Sequence, residues 1–136
     1  GGEVGGNAEK PEPAKAIWDT FGSSRGAECP GGIVLVGGHR DAWGPGADDN
    51  VSGTVSVLEA ARTIAEQVRA GKRPKRTIIF ATWDAEEWGL LGSTEFVEED
   101  SLRLSKGAVA SLTKDDVAQG TTFNRDATPS FRSLLR

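Results

Sequence analysis

His39 is the chain's only histidine, and acidic residues crowd the segments that could meet it. It stands in Gly38-His39-Arg40-Asp41, which leads into Gly44-Pro45-Gly46-Ala47-Asp48-Asp49-Asn50. A second acidic run, Trp83-Asp84-Ala85-Glu86-Glu87, lies further along. One imidazole with carboxylate oxygens is a ligand set for a divalent cation of zinc type. The His-x-Asp spacing puts Asp41 on the same side of an extended segment as His39. There it can hold the second ring nitrogen and so fix the tautomer of a metal-ligating imidazole. Adjacent Glu86 and Glu87 point in different directions, so one can bind metal while the other reaches a metal-bound water as a base. Each feature also has a plainer reading. Asp48-Asp49-Asn50 suits a turn or a helix cap, and Glu86-Glu87 suits a solvated helix start. Asp84 suits either an acceptor of loop N–H groups or a support for the site. Trp43 and Trp88 suit the core or a pocket wall, with the core favoured.

Both runs follow directly on apolar segments. Ile33–Val36, bounded by glycine pairs, reads as a strand covered on both faces, and Thr77–Thr82 reads as a second. Between them Val57, Ala61, Ile64 and Val68, with Leu58 and Ala65 alongside, repeat at helical spacing from Gly53 to Ala70, and Gly71 is a suitable stop. Strand, helix, strand makes a βαβ unit. In open α/β sheets ligands bind beyond the carboxyl ends of the strands, so parallel neighbours would bring His39 and six acids to one rim. Crowded carboxylates repel one another unless a cation compensates. Outside this unit, Ala16–Gly22 reads as a first strand and Gly92–Lys106 as two helical pieces. Ala108–Leu112 reads as a further strand, and Thr128-Pro129 as the opening of a last helix. Residues 1–15, rich in glycine and lacking aromatics, read as a flexible lead-in.

The composition excludes several classes of function. With 136 residues the chain has length for one domain. Its net charge of −4 argues against a nucleic-acid partner, and no apolar run is long enough to span a membrane. Cys29 is alone, which excludes an internal disulfide and a cysteine-based zinc site. No G-x-S-x-G, P-loop, G-x-G-x-x-G or H-E-x-x-H motif occurs. The imidazole disfavours Ca²⁺ and Mg²⁺, which prefer all-oxygen cages. The basic turn Lys72–Arg76 reads as a solvated loop, and the Asn50-Val51-Ser52 sequon, beside the acidic loop, as unglycosylated.

VGGHRDAWGPGADDNVSG, followed by a long helix and then RPKRTIIFATWDAEEWGLLGSTEF, resembles the M28 family of metallopeptidases. Within it, the HRDAW and WDAEEWGLLGS forms resemble the glutamate carboxypeptidase II-like and transferrin-receptor-like branch. The resemblance spans Ile17 to Arg136 and is most specific between Gly37 and Phe96. It implies an α/β fold of zinc-exopeptidase type, a mixed and mostly parallel sheet flanked by helices. Residues 16–136 would form part of such a domain, cut short at its C-terminal end. It implies two Zn²⁺ ions bridged by a carboxylate, with His39 and Asp115 on one ion, Asp49 as the bridge and Glu87 on the other. Glu86 would be the general base, with Asp41 beside it as the catalytic partner that orients His39. Asp115 is preferred to Asp116 by register with Ala108–Ala110. The family's second ion takes a later histidine, which this sequence does not contain, so one of the two positions is incomplete. The resemblance further implies a peptide substrate, admits a homodimer and suggests an extracellular or periplasmic setting. The rival expectation is a non-catalytic receptor- or scaffold-like relative that keeps the fold.

Overall fold

The computed structural model describes residues 15–118, 120–121, 125–131 and 133. The proposed lead-in therefore lies outside the described residues, apart from Lys15. A four-stranded sheet, in the order β1-β3-β2-β4, carries the chain. Its strands are β1 (Thr20–Ser24), β2 (Cys29–His39), β3 (Arg76–Trp83) and β4 (Ala108–Thr113). β2 runs parallel to both β3 and β4, while β1 is antiparallel to β3, so the sheet is mixed and mostly parallel as expected. α1 (Gly53–Arg69) makes the crossover from β2 to β3, and α2 (Leu91–Glu99) and α3 (Ser101–Gly107) lead from β3 to β4. Among the described residues, no helix is long and apolar enough to cross a membrane.

Alternation along β2 and β3 divides the core between the two faces. Val34, Val36, Ile78 and Phe80 pack with Val57, Ala60, Ala61 and Ile64 of α1. Leu35, Ala81 and Trp83 pack with Phe96 of α2 and Leu104 of α3. Phe21 of β1 joins this second core, its ring 5.7 Å from Trp83 and 5.0 Å from Phe96. Both strands are thus covered on both faces, which is why their apolar runs are continuous instead of alternating with polar residues.

Several boundaries differ from the sequence reading. β1 starts at Thr20, four residues late, because the preceding backbone is spent on side chains. The Trp18 N–H donates to Asp84 Oδ2 at 2.9 Å, and the Trp18 carbonyl accepts from Arg40. β2 extends back to Cys29 through an irregularity at Pro30-Gly31-Gly32. Leu58 is exposed, so the buried stripe of α1 is narrower than the apolar spacing suggests. Gly71 does adopt the left-handed conformation of a helix stop, with φ of 80°. At Thr128-Pro129 a short 3₁₀ turn, Pro129–Phe131, begins with the Phe131 N–H on the Thr128 carbonyl. The remainder of that anticipated helix lies largely outside the described residues.

Candidate metal centre

Because β3, β2 and β4 are parallel neighbours, their carboxyl ends open onto one rim. His39 is the last residue of β2 and is 4 % exposed. Its Nδ1 lies 3.1 Å from the backbone carbonyl of Asp41 and 3.4 Å from that residue's Oδ1. A carbonyl can only accept, so Nδ1 carries the proton and the Nε2 lone pair points the other way. There Nε2 meets Asp49 Oδ1 at 3.0 Å, Asp115 Oδ1 at 3.2 Å and Glu86 Oε2 at 3.7 Å.

A lone pair facing three carboxylates is repulsive and needs positive charge between them. A proton on Nε2 supplies it poorly, since one N–H cannot serve three acceptors. A divalent cation supplies it well. Donor atoms of His39, Asp49 and Asp115 all lie within 4.8 Å of one another. Tetrahedral coordination at about 2.0–2.1 Å would set its ligand atoms about 3.3 Å apart, close to the two shortest of these separations. The three residues can thus hold a metal ion. Glu86 is near the imidazole but outside that group of three.

What gathers these residues is a buried amide that the sequence reading passed over. Asn50 is fully buried. Its Nδ2 donates to the His39 carbonyl at 3.1 Å and to the Lys114 carbonyl at 2.9 Å, and its Oδ1 accepts from the Gly53 N–H at 3.0 Å. One side chain thereby joins the end of β2, the residue before Asp115 and the start of α1, with Asp49 as its own chain neighbour. Thr54 adds a second donor to the His39 carbonyl, its Oγ1 at 2.7 Å. The bond to Gly53 is of the helix-capping kind that Asp-Asp-Asn suggests. The two bonds across the sheet have no local signature. Backbones also meet closely here: a Cβ on Gly38 would sit 2.6 Å from the Lys114 carbonyl oxygen, and one on Gly53 would collide with Asn50 and Lys114.

Glu86 and Glu87 stand on a turn and not at a helix start, since α2 begins only at Leu91. Ala85, Gly89 and Leu90 all have positive φ in this segment. The Asp41 carboxylate braces the turn, accepting the Glu86 N–H at 3.1 Å and the Glu87 N–H at 3.2 Å. Asp41 therefore touches both the imidazole and the acidic turn. The Glu87 carboxylate is outside the three-residue group, and its charge helps to raise the Glu86 pKa. Asp84 serves the loops, accepting from Trp18 and Ala85 and pairing with Arg40 at 3.3 Å. Asp115 is the acid that meets Nε2, while its neighbour Asp116 is exposed. Trp43 and Trp88 are not core residues. They are 67 % and 69 % exposed and rest against each other, with ring centroids 4.7 Å apart.

Charge in this cluster shifts two groups in the same direction. Burial works against the His39 imidazolium, but Glu86, Asp115, the Asp41 carbonyl and Asp49 together raise its pKa above the ordinary value. Glu86 is raised by burial; His39 opposes this, while Glu87, Asp115 and Asp41 add to it. A raised folded-state pKa gives stability that is present below the unfolded value and lost as pH rises through the folded one. With no divalent cation bound, the unfolding midpoint should therefore be higher at about pH 6.5 than at about pH 8.5. Saturating Zn²⁺ should reverse that order, because protons compete with metal for Nε2. Thermal unfolding with chelator and with Zn²⁺ checks both arms. The same order in both would remove His39 from the cation site.

A profile of peptidase family M28 matches residues 20–127. The chain is 47% identical over 121 residues to the probable glutamate carboxypeptidase AMP1 of Arabidopsis thaliana, a match covering 89% of this chain and 17% of that protein. It is 41% identical over 119 residues to the aminopeptidase NAALADL1 of Mus musculus, covering 86% and 16% respectively. The chain thus spans about a sixth of the length of these relatives. Among solved structures, a peptidase M28 precursor from Shewanella amazonensis SB2B superimposes with a TM-score of 0.62 at 34% identity, covering 68% of this chain and 21% of that one. An aminopeptidase from Aneurinibacillus sp. strain AM-1 gives the same TM-score at 24% identity, covering 73% and 24%, and supports the fold. With the matched profile running over most of the sheet and both acidic segments, the chain belongs to peptidase family M28.

Proposed function

We propose that this chain contributes the metal-binding rim of a zinc exopeptidase, in which Glu86 is the general base for hydrolysis of a terminal peptide bond. The observation that carries the reading is the His39 imidazole, its Nε2 turned toward Asp49, Asp115 and Glu86 within 3.0–3.7 Å. His39, Asp49 and Asp115 would hold one Zn²⁺. Asp49, as a bridge, and Glu87 would supply this chain's share of a second. Bound there, Zn²⁺ supplies Lewis acidity toward the scissile carbonyl and lowers the pKa of a coordinated water.

The chain's own residues do the rest. Asp41 fixes the imidazole through its carbonyl and the acidic turn through its carboxylate. Glu86 takes a proton from the attacking water and returns it to the leaving amine. Its raised pKa suits both halves of that task, because a base that is too acidic would not accept the proton. Relatives named as carboxypeptidases and as aminopeptidases are both similar to this chain, so the proposal extends to the reaction and not to which terminus is trimmed.

The test is to express the protein that carries this sequence, measure its zinc content after dialysis in Zn²⁺, and assay it against unblocked and N-acylated dipeptides. Retained zinc with hydrolysis that a chelator abolishes supports the proposal. A folded protein that retains no zinc and cleaves neither class would favour the non-catalytic scaffold instead.

A further inference from the structure

We propose that Trp43 and Trp88 form a positioning clasp that holds the Glu86-Glu87 turn against the His39 rim. Its consequence for catalysis rests on the peptidase reading above. The turn from Ala85 to Leu90 belongs to no helix or strand, and three of its residues have positive φ. Buried Ala85 and the bonds of the Gly89 and Leu90 N–H groups to the Glu86 carbonyl shape the turn itself, and two ties join it to the segment that follows β2. One tie is polar: the Asp41 carboxylate accepts the Glu86 and Glu87 N–H groups at 3.1 and 3.2 Å. The other is the ring pair. Trp43 lies two residues beyond Asp41 and Trp88 immediately follows Glu87, and their rings meet at 4.7 Å with an interplanar angle of 50°.

Both rings are more than two-thirds exposed, so they contribute little to either core. Their mutual contact joins the same two segments that the Asp41 bonds join. With the ring pair added at Trp88, next to the two amides that Asp41 holds, the turn is less free to pivot about the Asp41 carboxylate. That keeps Glu86 Oε2 near the imidazole, where it lies at 3.7 Å. An aromatic pair of this geometry favours the closed arrangement by roughly two- to tenfold. The effect is small for a fold but large for the placement of a proton carrier.

The experiment makes Trp43→Ala, Trp88→Ala, the double variant and Trp43→Phe, and follows amide hydrogen exchange residue by residue in the protein that carries this sequence. Exchange at the Glu86 and Glu87 amides should quicken roughly two- to tenfold in either single variant. It should quicken no further in the double variant and return most of the way in Trp43→Phe, with the Ile79 and Ala81 amides of β3 unchanged. In the same variants kcat should fall while KM holds. Unchanged exchange at Glu86 and Glu87, or additive effects of the two substitutions, would overturn the clasp. So would a rise in KM at constant kcat, which would make the pair a substrate contact. If the unaltered protein cleaves no peptide, the peptidase reading falls, and the exchange measurements still decide the clasp.

Discussion

Replacing Glu86 by Gln should lower peptide hydrolysis by roughly 10²- to 10⁴-fold, the range a general base contributes, while zinc content stays at the level of the unaltered protein. The amide keeps the shape and the N–H that Asp41 holds, but it cannot accept a proton. Metal should be retained because the donors that close on one point are His39, Asp49 and Asp115, with Glu86 outside them. Removing one carboxylate also removes one of the charges that raise the His39 pKa. That loss eases deprotonation of the imidazole but also removes negative charge that attracts a cation, so the two effects oppose each other and zinc content should stay near that of the unaltered protein. Steady-state assays with parallel metal analysis read both effects. Loss of zinc from Glu86→Gln would make Glu86 a ligand, and undiminished hydrolysis would end its assignment as the base.

The largest effect on stability should come from Asn50→Ala. The substitution removes the amide donor to the Lys114 carbonyl and one acceptor of the Gly53 N–H, which keeps the backbone carbonyl of residue 50, while the His39 carbonyl keeps Thr54 as a donor. Losing the bonds of a fully buried amide should cost about 1–3 kcal/mol. Asn50→Asp is the sharper probe. It preserves the acceptor for Gly53 but sets an anion against two carbonyl oxygens, so it should destabilise at least as much at neutral pH. Zinc affinity should fall in both variants, since Asp49 and the residue before Asp115 are what the amide positions. Urea unfolding and zinc titration test the pair. A stable Asn50→Ala protein with normal zinc affinity would reduce Asn50 to a helix cap.

Much of this was legible in the sequence. The continuous apolar runs of β2 and β3 reported strands covered on both faces, and the stripe through Val57, Ala61 and Ile64 reported the crossover helix. The placing of chemistry at strand ends followed from the sheet type, and His39, Asp49, Asp115 and Glu86 do meet at one rim. What stayed hidden depends on long-range partners. Ile17 and Trp18 look like strand residues, yet the Trp18 backbone is engaged by Asp84 and Arg40 from other segments. Trp43 and Trp88 look like core because large aromatics usually are, but here each finds the other at the surface. Asn50 reads as an ordinary capping residue. Its reach to Lys114, 64 positions away, has no periodicity to betray it.

The order in which the strands join the sheet bears on how the protein acquires its ion. Among the described residues β4 pairs only with β2, on the far side from β3, and it brings Asp115 to an imidazole 76 positions earlier in the chain. A nascent polypeptide leaving the ribosome would present His39 and Asp49 first, then Glu86, and would lack the last oxygen until that outer strand had docked. Any cation met before then would be held by an unfinished grip. An ion held by all three donors would therefore have to wait for β4 to dock.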